Sequence, residues 1–77
     1  MKNIFKIYKR AHVLYNELSD LGIEFEKYAM VVEELNEFIL DSYKISQDHY
    51  DYFYQRVYDF GNDIITQEEL EKELKEG

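Results

Sequence analysis

"YDYFYQRVYDF", residues 50–60, sets six aromatic rings into eleven positions and threads two aspartates and one arginine between them. At about 100° per residue, Tyr50, Phe53, Tyr54, Val57 and Phe60 fall on one side of a helix, and Tyr58 flanks them. Tyr52 points the opposite way, on the face of Asp48, Gln55 and Asp59. The spacing predicts a helix whose inner side is built largely of rings, with one tyrosine left outside. Ser46 is the expected N-cap, and Asp48 lies in the first turn, where a carboxylate meets the positive end of the helix dipole.

The density of rings answers to size. Seventy-seven residues make one domain, residues 1–77, at a length where a single core supplies only a few kcal/mol of net stability. There is no cysteine for a disulfide or a thiolate metal site. Thirteen Tyr and Phe are available instead, each able to bury on the order of 150–250 Å².

Proline is absent and apolar residues recur at three and four along the rest of the chain, so the expected class is all-α. A first stripe comprises Ile4, Ile7, Tyr8, Ala11, Leu14, Tyr15 and Leu18, ended by Gly22. A second comprises Tyr28, Val31, Val32, Leu35, Phe38, Ile39 and Tyr43, starting somewhere in "IEFEKY" and breaking near Ile45. Gly61-Asn62 ends the aromatic helix. "TQEE", Thr66 to Glu69, reads as a capping box opening a short fourth helix on Leu70 and Leu74, held at its surface by Glu68→Lys72 and Glu71→Lys75 pairs. The expected architecture is a small antiparallel three-helix bundle with a short fourth C-terminal helix.

Charge is uneven. Residues 1–22 carry +2, with Lys2, Lys6, Lys9 and Arg10 against two acids, whereas residues 23–77 carry −10. Such a body repels nucleic acid and membrane surfaces and attracts basic proteins. The opening MKNIFKIYKR has no unbroken apolar stretch, so no secretory signal is expected, and no run is long enough to span a membrane. A cytoplasmic protein is expected, in a host cell's cytoplasm if phage-encoded. The basic residues of the first helix are expected to dock on the protein's own acidic helices or on an acidic partner.

Little in the chain carries catalysis. His12 and His49 are isolated, the first expected at the border of its stripe and the second solvated. The serines and threonine lack a nucleophile context, and three scattered glycines make no phosphate loop. "VVEELNEF" places Glu34 and Glu37 at i, i+3, with Glu33 and Asp41 within a turn; such carboxylates share a Mg²⁺ only if a second pair faces them. This run resembles the Glu-Glu-x-x-Glu motif of the all-α nucleotide pyrophosphohydrolases related to MazG. That family adds a Glu-x-x-Asp motif on the next helix, for which this chain has Asp59-x-x-Asn62, interrupted by Gly61. The resemblance implies a metal-dependent pyrophosphohydrolase remnant. On the helical wheel, however, Glu33, Glu34 and Glu37 lie opposite the apolar stripe, which makes a solvated acidic face the simpler reading.

Glu26, Glu33, Glu37 and Asp41 lie nearly in line on the second helix with Glu34 beside them, and Asp48, Asp51 and Asp59 surround the outward Tyr52. Side chains at i, i+4 stand about 6 Å apart along the axis, a coarse imitation of the phosphate track of a nucleic acid strand. In general character the chain resembles small, acidic, tyrosine-bearing helical proteins of phages and mobile elements, including anti-restriction and anti-CRISPR inhibitors. The leading expectation is therefore a non-catalytic inhibitor or regulator. It would bind the basic surface of a nucleic-acid-handling protein through Glu33, Glu34, Glu37, Asp41, Asp48, Asp51, Tyr52 and Asp59. No cofactor, metal, membrane or direct nucleic-acid contact is implied. The alternative is a homodimer or small subunit that covers Phe5, Phe25, Met30 and Tyr58 with another chain.

Overall fold

A computed structural model describes residues 3–24 and 26–77. Its elements are α1 (Ile4–Asp20), α2 (Glu26–Ser42), a 3₁₀ turn (Gln47–His49), α3 (Tyr50–Gly61) and α4 (Gln67–Glu76), with no strand among the described residues. The chain is all-α. Lys2 and Phe25, which entered the expectations above, lie outside the described residues.

The helix ends follow local chemistry. Asn3 caps α1, its side chain accepting from the Phe5 and Lys6 amides at 3.1 and 3.3 Å. Past α1, Gly22 takes φ +73°, and the Ile23 amide donates back to Leu18 O at 3.1 Å. The capping box at Thr66 and Glu69 is present in both directions. Ser46 makes no backbone cap; its hydroxyl meets His49 Nδ1 at 3.0 Å within the 3₁₀ turn, and α3 starts at Tyr50.

In α3 the aromatic reading holds in its main lines. Phe53, Val57 and Phe60 are buried, and Tyr52 is 58 % exposed. Tyr50, Tyr54 and Tyr58 are half-buried, on the border of the core rather than in it. Arg56 clamps α4 to this helix through a fork on Glu73, at 2.9 and 2.7 Å. Leu70 and Leu74 complete the core beneath the clamp.

In α1 and α2 the buried faces differ from the apolar stripes. The α1 side chains that bury are Phe5, Tyr8 and His12, while Ile7 and Leu14 of the expected stripe stay 40 % and 39 % exposed. At about 100° per residue the helix is turned by roughly a quarter of a circle. His12, expected at a border, is wholly buried. Asn62 Oδ1 accepts from His12 Nε2 at 3.0 Å, which leaves Nδ1 to accept from the Tyr8 hydroxyl at 2.9 Å. The Tyr58 ring stands edge-on with its centroid 4.5 Å from that of the imidazole. Beneath the ring is Gly61, and a Cβ there would lie 2.5 Å from His12 Cγ. Gly61 therefore does more than end the helix, because its missing side chain is where the imidazole sits. Lys9 adds a bond from Nζ to Phe60 O at 2.7 Å and an ion pair with Asp63.

A similar turn affects α2. Val32, Asn36, Ile39 and Leu40 are buried, while Tyr28, Val31 and Phe38 remain 42 %, 44 % and 54 % exposed. Asn36 is drawn inward by its Nδ2, which donates to Tyr54 O at 3.1 Å. A backbone carbonyl of α3 thus sets the rotation of α2, as the imidazole seat sets that of α1. The start of α1 meets the end of α2, with the Phe5 and Tyr43 rings 6.1 Å apart. The other edge of Phe5 faces Phe60 of α3, also at 6.1 Å.

Two outcomes follow from the seat. Gly61→Ala forces a methyl into the imidazole and should cost about 1–3 kcal/mol by overpacking; urea unfolding measures it. Burial first, and then the Lys9 ammonium, holds the His12 pKa below its ordinary value, with the Asn62 hydrogen bond opposing. The folded imidazole thus stays neutral where the unfolded one takes a proton. Stability should be complete above about pH 6.5 and fall as pH drops below it; His12→Gln, unfolded by urea across that range, should flatten the slope.

Candidate functional site

The eight expected binding residues are not brought together as one surface. Glu33, Glu37 and Asp41 lie on the edge of α2 that borders α3. Burial raises the Tyr54 phenol, and Glu33 and Glu37 raise it further; for Tyr50 the additional charges are Glu37 and Asp41. Three carboxylates and two tyrosines therefore share the α2–α3 seam. At the Glu33–Tyr54 end of the seam is a notch of about 150 Å³ lined by Tyr15, Ala29, Val32, Glu33, Tyr54 and Tyr58.

The remaining residues lie elsewhere. Glu34 lines a separate hollow with Ile4, Val31, Leu35 and Phe38, between α1 and α2. Asp48 and Asp51 are exposed at the entry to α3. Tyr52 is turned toward the end of α4, in a shallow hollow with Phe53, Glu73 and Glu76. Asp59 is half-buried and occupied, accepting from Gln55 Nε2 at 3.0 Å and Arg56 Nη1 at 3.3 Å. The other six acids, Glu33, Glu34, Glu37, Asp41, Asp48 and Asp51, are exposed and form no ion pair among the described residues.

Tyr15, Tyr54 and Tyr58, which line the notch, are not among the eight expected binding residues. The four-residue spacing on α3, Tyr50-Tyr54-Tyr58, is visible in the chain. A phenol with an apolar body and a polar tip suits the border of a core better than its centre, and that chemistry is the one cue that separates these rings from Phe53 and Phe60.

The half-motif Asp59-x-x-Asn62 is engaged structurally, Asp59 with Arg56 and Asn62 with His12 and Asn16. No group of three or more His, Cys, Asp or Glu side chains suited to holding a metal occurs among the described residues. The Tyr8–His12 pair is wholly buried, so no substrate can touch it. Comparison with protein-family models, with curated proteins and with solved structures finds no match.

The inner and outer rings of α3 can be told apart directly. Phe53→Ala should cost about 3–5 kcal/mol and largely unfold so small a domain, whereas Tyr52→Ala should change stability by about 0.5 kcal/mol or less. Thermal unfolding followed by circular dichroism compares the two.

Proposed function

We propose that this chain is a non-catalytic protein-binding module, an inhibitor or regulator that docks its α2–α3 seam on a basic surface of another protein. The observation that carries this reading is the seam itself, where Glu33, Glu37 and Asp41 are exposed, unpaired and set against half-buried tyrosines. Carboxylates without internal partners keep their full attraction for an outside cation. Aromatic faces beside them add cation–π attraction for a lysine or arginine side chain, worth about 0.5–2 kcal/mol according to how far it is desolvated. The notch lined by Tyr54, Tyr58 and Glu33 is where such a side chain would enter.

The same reading takes the architecture as an antiparallel three-helix bundle with α4 leaning on α3, supported by the approach of Phe5 to Tyr43 and the Arg56–Glu73 clamp. It places the protein in the cytoplasm, consistent with a net charge of −8 and with no described helix long and apolar enough to cross a membrane. The regular spacing of Glu33, Glu37 and Asp41 along α2 suits a partner whose groove ordinarily holds nucleic acid, as in an inhibitor from a phage or mobile element. Tyr52 and Asp59 fall outside this seam and have no part in the reading.

The test is a pull-down with the tagged chain from bacterial lysate at low and high salt, the recovered proteins being identified by mass spectrometry. A basic nucleic-acid-binding protein should be retained at low salt and released at high salt. The double change Glu33→Lys, Glu37→Lys should then slow association by about tenfold or more and weaken its salt dependence. Retention unaffected by that change would defeat the reading.

A further inference from the structure

The turns of α1 and α2 leave an apolar face on the other side of the molecule. Ile7 and Leu14 on α1 and Tyr28, Val31 and Phe38 on α2 are all between 39 % and 54 % exposed. The two sets belong to one surface, because Ile4 of α1 joins Val31, Leu35 and Phe38 of α2 around a hollow of about 300 Å³. Five large apolar side chains on one face approach the few hundred Å² beyond which a contiguous patch on a monomer usually marks an interaction site.

The rims of this face carry a pattern. Outside the α1 stripe stand Lys6, Arg10 and Glu17; outside the α2 stripe stand Asp41, Glu34 and Lys27. All six are exposed, and none has an ion-pair partner among the described residues. The levels of the two helices are set by Phe5 beside Tyr43, by Ile4 beside Leu35 and Phe38, and by Tyr15 beside Ala29 and Val32. On that register Lys6 is level with the Phe38–Asp41 turn, Arg10 with Glu34, and Glu17 with Lys27. Within one molecule these residues are on opposite edges and cannot meet. Each level nevertheless pairs opposite charges, and the order of signs reverses at the third level on both helices together.

We infer that the α1–α2 face is the interface of a two-fold symmetric dimer of this chain, α1 of each copy lying over α2 of the other. A two-fold axis parallel to the helices and lying in the interface keeps every residue at its own level and exchanges the two edges. Lys6, Arg10 and Glu17 of one copy then meet Asp41, Glu34 and Lys27 of the other, and the apolar stripes close between them. A two-fold axis across the helices at the Arg10–Glu34 level would instead set α1 on α1 and α2 on α2, bringing Arg10 onto Arg10 and Glu34 onto Glu34. The footprint of two 17-residue helices, about 25 Å long and together about 20 Å wide, is about 500 Å² per partner, which reaches the ~1,000 Å² in total that a specific interface needs. The interface shares Asp41 with the α2–α3 seam but uses neither Glu33, Glu37 nor the tyrosine notch, and the substitutions that test it, at Phe38, Arg10 and Glu34, leave every seam residue unchanged.

Sedimentation equilibrium of the full chain at micromolar concentration tests it. The expected mass is twice 9.4 kDa. Phe38→Asp, at an exposed position, should give a monomer whose circular dichroism is unchanged. Arg10→Glu and Glu34→Arg should each weaken the dimer about tenfold or more, because symmetry repeats every change. Combined in one chain, the two should restore it to within a few-fold of the original. A chain that sediments as a monomer at every concentration overturns the proposal and leaves the face to a different protein. A dimer indifferent to Phe38→Asp, or one that the combined charge exchange fails to restore, overturns it as well.

Discussion

An imidazole seated on a glycine organises this molecule. His12 occupies the space that a side chain at Gly61 would fill, and it is held there by Tyr8 on one nitrogen and Asn62 on the other. A buried polar ring with both nitrogens satisfied tolerates little rotation, since breaking either bond leaves a group unpaired at a cost of about 1–3 kcal/mol. The rotation of α1 about its axis is therefore set by polar contacts. Phe5 and Tyr8 follow His12 into the core, and Ile7 and Leu14 are carried outward. Asn36 acts on α2 in the same way through the Tyr54 carbonyl, carrying Val31 and Phe38 outward.

This explains which parts of the fold could be read from the chain. Helix ends written in local chemistry were legible: Gly22 beyond α1, the Thr66–Glu69 box before α4, and the break after Gly61. The face of α3 was legible too, because Phe53, Val57 and Phe60 are apolar without ambiguity. The faces of α1 and α2 were not. Periodicity counts apolar residues and leaves His12 and Asn36 out of the core, but His12 bonds Asn62 at the end of α3 and Asn36 bonds Tyr54 within it, 50 and 18 residues away in the chain. No local pattern contains that distance. Among the expected binding residues, Glu33, Glu37 and Asp41 were recognisable as a line. That their neighbours would be Tyr50 and Tyr54, and that Tyr52 would turn toward α4, depended on how α2 and α4 flank α3.

The outcome for function is a molecule with two unlike surfaces on either flank of α2. One is acidic and tyrosine-lined, facing α3. The other is apolar with two rims opposite in charge at each level, facing away from it. Both exist because Asn36, and not Leu35, is at the centre of the buried side of α2. A helix turned to bury Val31, Leu35 and Phe38 would hide the second surface and swing Glu33 and Glu37 away from Tyr54.

The rotation of α1 is therefore the claim on which the rest depends, and nuclear Overhauser contacts of the His12 ring test it most directly. Cross-peaks are expected from the imidazole protons to the Gly61 α-protons and to the Tyr58 ring, with none from the Ile7 or Leu14 methyls to α3. Cross-peaks from Ile7 and Leu14 to Val57 or Phe60, with His12 showing only contacts within its own helix, would contradict it.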